Sequence, residues 1–295
     1  MEKNRIYLMD CVSGIEQLLD DECIDLIIAD PPYFKVVGEK WDYVWHTEED
    51  YLTWAETWIN ECSRVLRKGG SMYLFGYFRM LSRLLPLLEE KGLELRQQII
   101  LNKGIKSVSG RATKKYKMFP NTTESILFLC KDPKPFAKEF LKKRQKDLGL
   151  SAKEINELLG VKSNGGGMWS IYTGNNICKQ LPTEEIWNKL QKILDFDIPY
   201  SSVSQTFHPQ MGITDVWDGI DFYSEKRYHP TQKPQELLSR LILASSNEGD
   251  LVLDPFMGGG STAVACKTNH RYFIGFENDE KYYNESIKRL NPQIE

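Results

Sequence analysis

Two short segments hold residues whose types and spacing could do chemistry on a bound ligand. The first is Asp30-Pro31-Pro32-Tyr33, directly after the apolar run Ile24 to Ala29. Two adjacent prolines cannot continue a strand or sit deep in a helix, so the chain must turn sharply there. The turn collects a carboxylate acceptor, a Pro31 carbonyl freed from ladder pairing, and the Tyr33 ring. Such a group suits a planar ring bearing an amine, hydrogen-bonded through the amine and stacked on the tyrosine. Alone, four residues serve equally well as a structural turn. The second segment runs from Val252 to Thr262 and includes Asp254, Phe256, Gly258, Gly259 and Gly260. It reads as a strand, a glycine-rich turn and a helix start, with Ser261 and Thr262 suited to capping. Glycines there let the backbone approach a ligand closely. The next expected strand ends at Glu277, and a carboxylate so placed accepts hydrogen bonds from ribose hydroxyls. The spacing is not G-x-G-x-x-G, which argues against a nicotinamide dehydrogenase.

Both segments need a scaffold, and the hydrophobic pattern supplies one. Residues 24 to 29 read as a strand buried on both faces. Apolar residues at Tyr51, Ala55, Trp58, Ile59, Cys62, Val65 and Leu66 predict a helix over 51–66. Lys68-Gly69-Gly70 should stop it, with a strand from Ser71 to Phe75. A helix over 78–91 and strands near 94–101 and 124–130 follow. Strands at 250–253 and 272–276 should each lead into a helix, near 261–268 and 279–290. This alternation predicts an α/β fold, a mostly parallel sheet with helices on both faces, whose carboxyl edge takes the ligand. Residues 135 to 195 break the rhythm with a helical pattern, and an irregular stretch continues to 228. The expected organisation is therefore 1–130, an inserted helical region at 131–228, and 229–295.

The chain has 295 residues, room for about two domains. Lys plus Arg total 38 and Asp plus Glu 41, a net charge of -3, which excludes a wholly basic nucleic-acid binder. No apolar run approaches the roughly 18 residues of a membrane span, and the first residues lack a signal-peptide core. Six scattered cysteines without a C-x-x-C pair, and four histidines, argue against a metal site or disulfide framework. The expectation is a reduced, cytoplasmic protein. Between Arg96 and Thr123 stand Lys103, Lys106, Arg111, Lys114, Lys115 and Lys117 with no acidic residue. That run is either a solvated loop or a local seat for a polyanion.

D-P-P-Y at 30–33, H-P-T-Q-K-P at 229–234 and D-P-F-M-G-G-G at 254–260, in this order, resemble the β-group DNA amino-methyltransferases. The resemblance covers about 1–130 and 229–292. It implies a circularly permuted Rossmann-like sheet, S-adenosylmethionine as cofactor, and a target-recognition region between the catalytic and cofactor halves. Asp30 and the Pro31 carbonyl would hold the target amine, with Pro32 completing the turn, and Tyr33 would stack on the flipped base. Asp254, Phe256, Gly258, Gly260, Ser261 and Thr262 would form the cofactor turn, and Glu277 would bind the ribose. Asp10, in Met9-Asp10-Cys11, resembles the family's G-D-C segment, with methionine in place of the glycine. Thr231 and Lys233 fall where the cofactor's methionine end lies.

Residues 148–161 resemble the first half of a repressor-type helix-turn-helix, with Ser151 as N-cap and Leu150, Ile155, Leu158, Leu159 and Val161 as core. Base-edge candidates are Lys162, Ser163, Asn164, Ser170 and Tyr172, and the basic run would hold phosphates. The expected activity is methylation of the exocyclic N6 amine of adenine in double-stranded DNA, by base flipping. Aspartate at position 30 points to adenine, because relatives acting on the cytosine N4 amine usually carry Ser or Thr there. Cytosine remains the alternative, followed by RNA or a protein amide. A homodimer and a cognate restriction endonuclease encoded elsewhere are partners that the family admits.

Overall fold

The computed structural model describes residues 2–34, 43–104, 107, 117, 119–161, 167–174 and 179–291. It divides into two compact units, Met1–Lys131 with Thr206–Glu295, and Asp132–Gln205. In the first unit, β1 (Arg5–Leu8), α1 (Cys11–Leu18), β2 (Ile24–Ala29), α2 (Glu48–Val65), β3 (Leu66–Gly76), α3 (Phe78–Glu90), β4 (Leu93–Asn102) and β5 (Thr123–Lys131) come in order. The second unit contributes α4 (Lys134–Asp147), α5 (Ala152–Leu158), α6 (Gly167–Thr173) and α7 (Glu184–Leu194). The chain then returns through β6 (Val216–Trp217), α8 (Gln235–Ser245), β7 (Leu251–Asp254), α9 (Ser261–Thr268), β8 (Tyr272–Glu277) and α10 (Glu280–Leu290).

Among the described residues, eight strands form one sheet in the order β1-β8-β7-β2-β3-β5-β4-β6. It is parallel except where β5 runs antiparallel to both β3 and β4. The late strands β7 and β8 thus lie between the early strands β1 and β2, the permuted arrangement expected. Side chains alternate between faces, as a pleated strand requires. Ile27, Ala29, Met72, Leu74, Leu253 and Ile274 pack against α1, α2 and α3. Leu26, Ile28, Tyr73, Phe75, Val252 and Phe273 pack on the opposite face against α8 and α9. Each fully buried Leu, Ile or Phe is worth about 1.5–3 kcal/mol of transfer free energy, so burial on both faces fixes the register of the central strands β2, β3, β5, β7 and β8.

Two sequence expectations are corrected. The helix near 51–66 begins at Glu48, where Thr47 and Asp50 form a reciprocal capping box. It gives way to β3 at Leu66, before the glycines. Gly69 (φ 73°) lies inside the strand, where Ile24 pairs with Leu66 but Leu26 pairs with Ser71. The glycines allow a bulge rather than a helix stop. The second correction concerns the helical region, which ends at Gln205 and not near 228. Residues 206–228 belong to the sheet unit: β6 extends β4, Trp217 is buried beside Ile99 and Leu101, and Phe207 stacks on Phe128.

The helical unit has its own core of Ile155, Leu159, Trp169, Trp187, Leu190 and Leu194. Ser151 caps α5 with Glu154 in a second capping box, as its spacing indicates. Asn156, buried, accepts the Trp169 N–H at 3.0 Å and ties α5 to α6. Leu150 and Val161 pack at the margin, but Leu158 is 61% exposed and not core. Among the described residues no helix is long and apolar enough to cross a membrane.

Candidate active site

Parallel strands end at the same edge, so four carboxylates from distant parts of the sequence arrive side by side. Leu8 pairs with Glu277, Asp254 with Gly275, and Leu253 with Ile27 through Val252–Leu26 register. Asp10, Glu277, Asp254 and Asp30 therefore follow one another along the carboxyl edge. They line a cleft of about 340 Å3. Pro31, Pro32, Tyr33, Thr231, Lys233, Phe256, Gly258, Ser261 and Thr262 line the same cleft.

At one end, Asp30 is held by one charged and one neutral side chain. Its Oδ2 accepts from Lys233 Nζ at 2.6 Å, and its Oδ1 from the Tyr33 hydroxyl at 2.9 Å. Lys233 also lies 3.2 Å from Oε1 of Glu124, which the Tyr33 hydroxyl touches as well. Lys103 pairs with the other Glu124 oxygen. Burial pushes the Asp30 carboxyl above its usual range, against the pull of Lys233. Burial alone would lower the Lys233 ammonium, but Asp30 and Glu124 hold it above the ordinary lysine value. Burial would likewise raise Glu124, yet Lys233 and Lys103 draw it below the usual carboxylate range. The Lys233 ammonium sits 4.8 Å over the Phe75 ring, and Tyr33 meets Tyr77 edge-on at 5.3 Å.

At the other end, Glu277 is held by backbone. Its oxygens accept the Gly258 and Asp279 N–H groups, each at 2.8 Å. Burial raises its carboxyl above the usual value, and these N–H groups oppose the rise. Gly258 has φ 51°, in the left-handed region that favours glycine. Asp254 lies between the two ends. Burial pushes it up to about 7, with the Thr262 hydroxyl and the Phe256 N–H, at 2.9 Å, partly holding its charge. His229 stacks edge-on against Tyr282 at 4.2 Å, and burial pushes it down to about 4, so it is neutral. Its Nδ1 lies 3.0 Å from the Thr231 hydroxyl. Asp10 accepts the Ser13 N–H at 3.1 Å and caps α1, which leaves its second oxygen for the cleft.

Several sequence expectations change. Gly260 does not line the cleft: a Cβ there would meet Ser286 at 3.0 Å, so its glycine lets α9 pack against α10. Lys103 is paired with buried Glu124 instead of facing outward for phosphate. Tyr172 is 7% exposed and packs in the helical unit's core instead of standing on its surface. The Ser170 hydroxyl donates to the Gly167 carbonyl at 2.9 Å. Lys117 is exposed. Lys106, Arg111, Lys114, Lys115, Lys162, Ser163 and Asn164 lie outside the described residues. Sequence reading missed Glu124, Trp45, Trp54 and Tyr282, of which the last three also line the cleft. Glu124 carried a usable signal, since it is the one acid in a strand that continues as the apolar run Ile126 to Cys130, and a buried charge requires a partner.

The cleft has a carboxylate and ring at one end and a glycine-turn carboxylate at the other, joined by one acidic edge. The chain is 27% identical over 302 residues to the type II methyltransferase M.HinfI of Haemophilus influenzae, covering 97% of this chain and 68% of that one. It is 28% identical over 280 residues to the DNA adenine methyltransferase YhdJ of Escherichia coli, covering 92% and 77%. Its fold is similar to the crystal structure of an M1.HpyAVI-SAM complex, with a TM-score of 0.59, 22% identity, and coverage of 97% and 98%. Residues 24–288, which hold both ends of the cleft except Asp10, match the DNA methylase family. The chain belongs to the DNA methylase family.

Proposed function

We propose that the protein methylates the exocyclic N6 amine of adenine in duplex DNA, at specific sites, using S-adenosylmethionine. The observation that carries this reading is the placement of Asp30 and Glu277 in one cleft of about 340 Å3. That volume falls within the roughly 300–1,000 Å3 of small-molecule sites. The residues present fit the cofactor. Glu277 offers acceptors for ribose hydroxyls, Phe256 and Trp54 offer apolar surface for a purine, and the acidic edge suits a sulfonium cation. When bound, the cofactor supplies an electrophilic methyl group.

The chain's own residues do the rest. The exocyclic nitrogen is a poor nucleophile because its lone pair is delocalised into the ring. Hydrogen bonds from the amine to Asp30 and to the Pro31 carbonyl favour a tetrahedral nitrogen with its lone pair directed outward. Asp30 also opposes the positive charge that grows on nitrogen as the bond to carbon forms, and it is positioned to receive the departing proton. Positioning and electrostatics then supply most of the rate. No thiol is needed. Cys11 lines the cleft, but burial pushes it up to about 12, which keeps it protonated.

A duplex hides the amine, so the base must leave the stack at a cost of a few kcal/mol. The Tyr33 ring is placed to recover part of that by stacking, worth about 1–3 kcal/mol. Asp30 and the name of the YhdJ relative both favour adenine over cytosine. Target recognition is assigned to the helical unit and phosphate holding to the basic run. A second copy of the chain and a cognate endonuclease are the further partners of this reading, with the cytoplasm as its location.

The test is incubation of unmethylated plasmid DNA with labelled S-adenosylmethionine, followed by nucleoside analysis. Label in N6-methyladenine is expected. Label in N4-methylcytosine would overturn the choice of base, and label in RNA or protein alone would overturn the substrate.

A further inference from the structure

Glu124 is 1% exposed, is the second residue of β5, reaches the Asp30 turn, and has no part in the transfer scheme above. A buried carboxylate is costly, and a neutral residue would build this strand more cheaply. Glu124 nevertheless touches three groups: Lys233 at 3.2 Å, the Tyr33 hydroxyl, and Lys103. Two of these are the groups that grip Asp30. The four charges, Asp30, Glu124, Lys233 and Lys103, sum to zero.

That neutrality matters to the chemistry. As the methyl group reaches nitrogen, the nitrogen becomes cationic while hydrogen-bonded to Asp30. The Lys233 ammonium, 2.6 Å from Asp30, is a like charge beside it. An unbalanced lysine would oppose the reaction, because charges interact strongly where water is excluded. We propose that Glu124 is a positioning residue of methyl transfer, anchoring Lys233 and the Tyr33 hydroxyl against Asp30 and cancelling the lysine's charge. This rests on the assignment of Asp30 as the group that receives the target amine.

The arrangement also sets a sign for pH dependence. Asp30 faces Tyr33 from its own turn, Lys233 from the segment before α8, Glu124 from β5 and Asp254 from the end of β7. Lys103 on β4 faces Glu124, and His229 lies near Lys233. Removing the Glu124 charge deletes an anion that raises Asp30 and leaves Lys233 free to lower it. The acidic limb of the rate profile must then move to lower pH even as the rate falls. A merely structural glutamate would reduce rate and stability without moving that limb.

The experiment measures kcat, cofactor affinity and the pH profile on unmethylated plasmid DNA, for wild type, Glu124→Gln, Glu124→Asp and Asp30→Ala. Glu124→Gln should keep cofactor affinity within about twofold and lose about ten- to hundredfold in kcat, as expected of a small misplacement at the reacting centre. Its acidic limb should move down, and Glu124→Asp should restore the limb and part of the rate. Should Glu124→Gln fail to fold, Lys103→Met decides: removing that cation should move the limb up. Unchanged kcat in Glu124→Gln, or a limb that stays in place, overturns the proposal while an inactive Asp30→Ala leaves the assignment of Asp30 standing. No transfer by wild type would instead overturn the assigned function.

Discussion

The two ends of the cleft hold their carboxylates by different means. Asp30 is gripped by side chains that are remote in sequence, Lys233 at a separation of 203 residues, with Tyr33 bridging to Glu124 across 91. Glu277 is gripped by main-chain N–H groups at separations of 19 and 2. Backbone groups cannot titrate or be substituted, so the Glu277 end tolerates changes around it. The Asp30 end depends on four charges in balance, and each is one substitution from failure. The difference suits the tasks assigned to them. A site that binds one cofactor needs fixed donors, whereas a site that meets a developing charge needs charges it can set against that charge.

Breaking the comparison at its charged end should give the largest effect. Lys233→Met leaves buried Glu124 and partly buried Asp30 without their shared cation and should destabilise the fold by about 3–5 kcal/mol, the cost of breaking a buried ion pair. Denaturant unfolding of Lys233→Met against Glu277→Gln should show the second change to be far milder.

Asp254 lies between the ends, with a hydroxyl and a backbone N–H as partners but, among the described residues, no cation. Its folded pKa of about 7 lies above the usual carboxylate value. Its contribution to stability is therefore fully present below about pH 4 and is lost as pH rises through about 7. Asp254→Asn should be more stable than wild type at pH 8, by on the order of a few kcal/mol. The gap should close towards pH 4. A gap in melting temperature that does not vary with pH would count against this ionisation.

At the backbone-held end, Glu277→Ala should cost about 1.5–3 kcal/mol of cofactor binding, the worth of hydrogen bonds to a charged group. Calorimetry should read this as a ten- to hundredfold weaker Kd, with the fold intact. The smallest effect is expected from Tyr33→Phe. The ring that would stack on a base survives, but the proton between Asp30 and Glu124 is lost. A drop of about tenfold in kcat is expected, near 1.4 kcal/mol, with cofactor affinity unchanged. From sequence alone, the ring would be the only part of Tyr33 that matters and this change would be mild. Full activity in Tyr33→Phe would restore that simpler view.

What the sequence made legible follows the same division. The glycine turn and Glu277 are local, with partners in the adjoining turn or at the end of the next strand, so spacing pointed to them. The D-P-P-Y turn was visible as a sharp turn after an apolar run, and its role came from its resemblance to a family motif. The strands around them were legible because burial on both faces leaves continuous apolar runs such as Ile24 to Ala29. The grip on Asp30 was not legible. Glu124 and Lys233 reach it only because β5 and the segment before α8 converge on β2 in three dimensions, and no spacing rule spans those separations. Gly260 shows the opposite error: a glycine inside a ligand-binding pattern can serve helix packing, and only the position of Ser286 reveals it. The strand β6 escaped notice because two residues are too short for any periodicity.

The central claim is that the turn at 30–33 is where the target amine is methylated. The most direct measurement compares wild type with Asp30→Ala for labelled methyl transfer to unmethylated DNA, alongside cofactor affinity by calorimetry and base flipping by a fluorescent adenine analogue. Asp30→Ala is expected to bind cofactor and flip the base nearly as wild type does, and to lose turnover by orders of magnitude. A folded Asp30→Ala protein that methylates DNA at a near-normal rate would contradict the account.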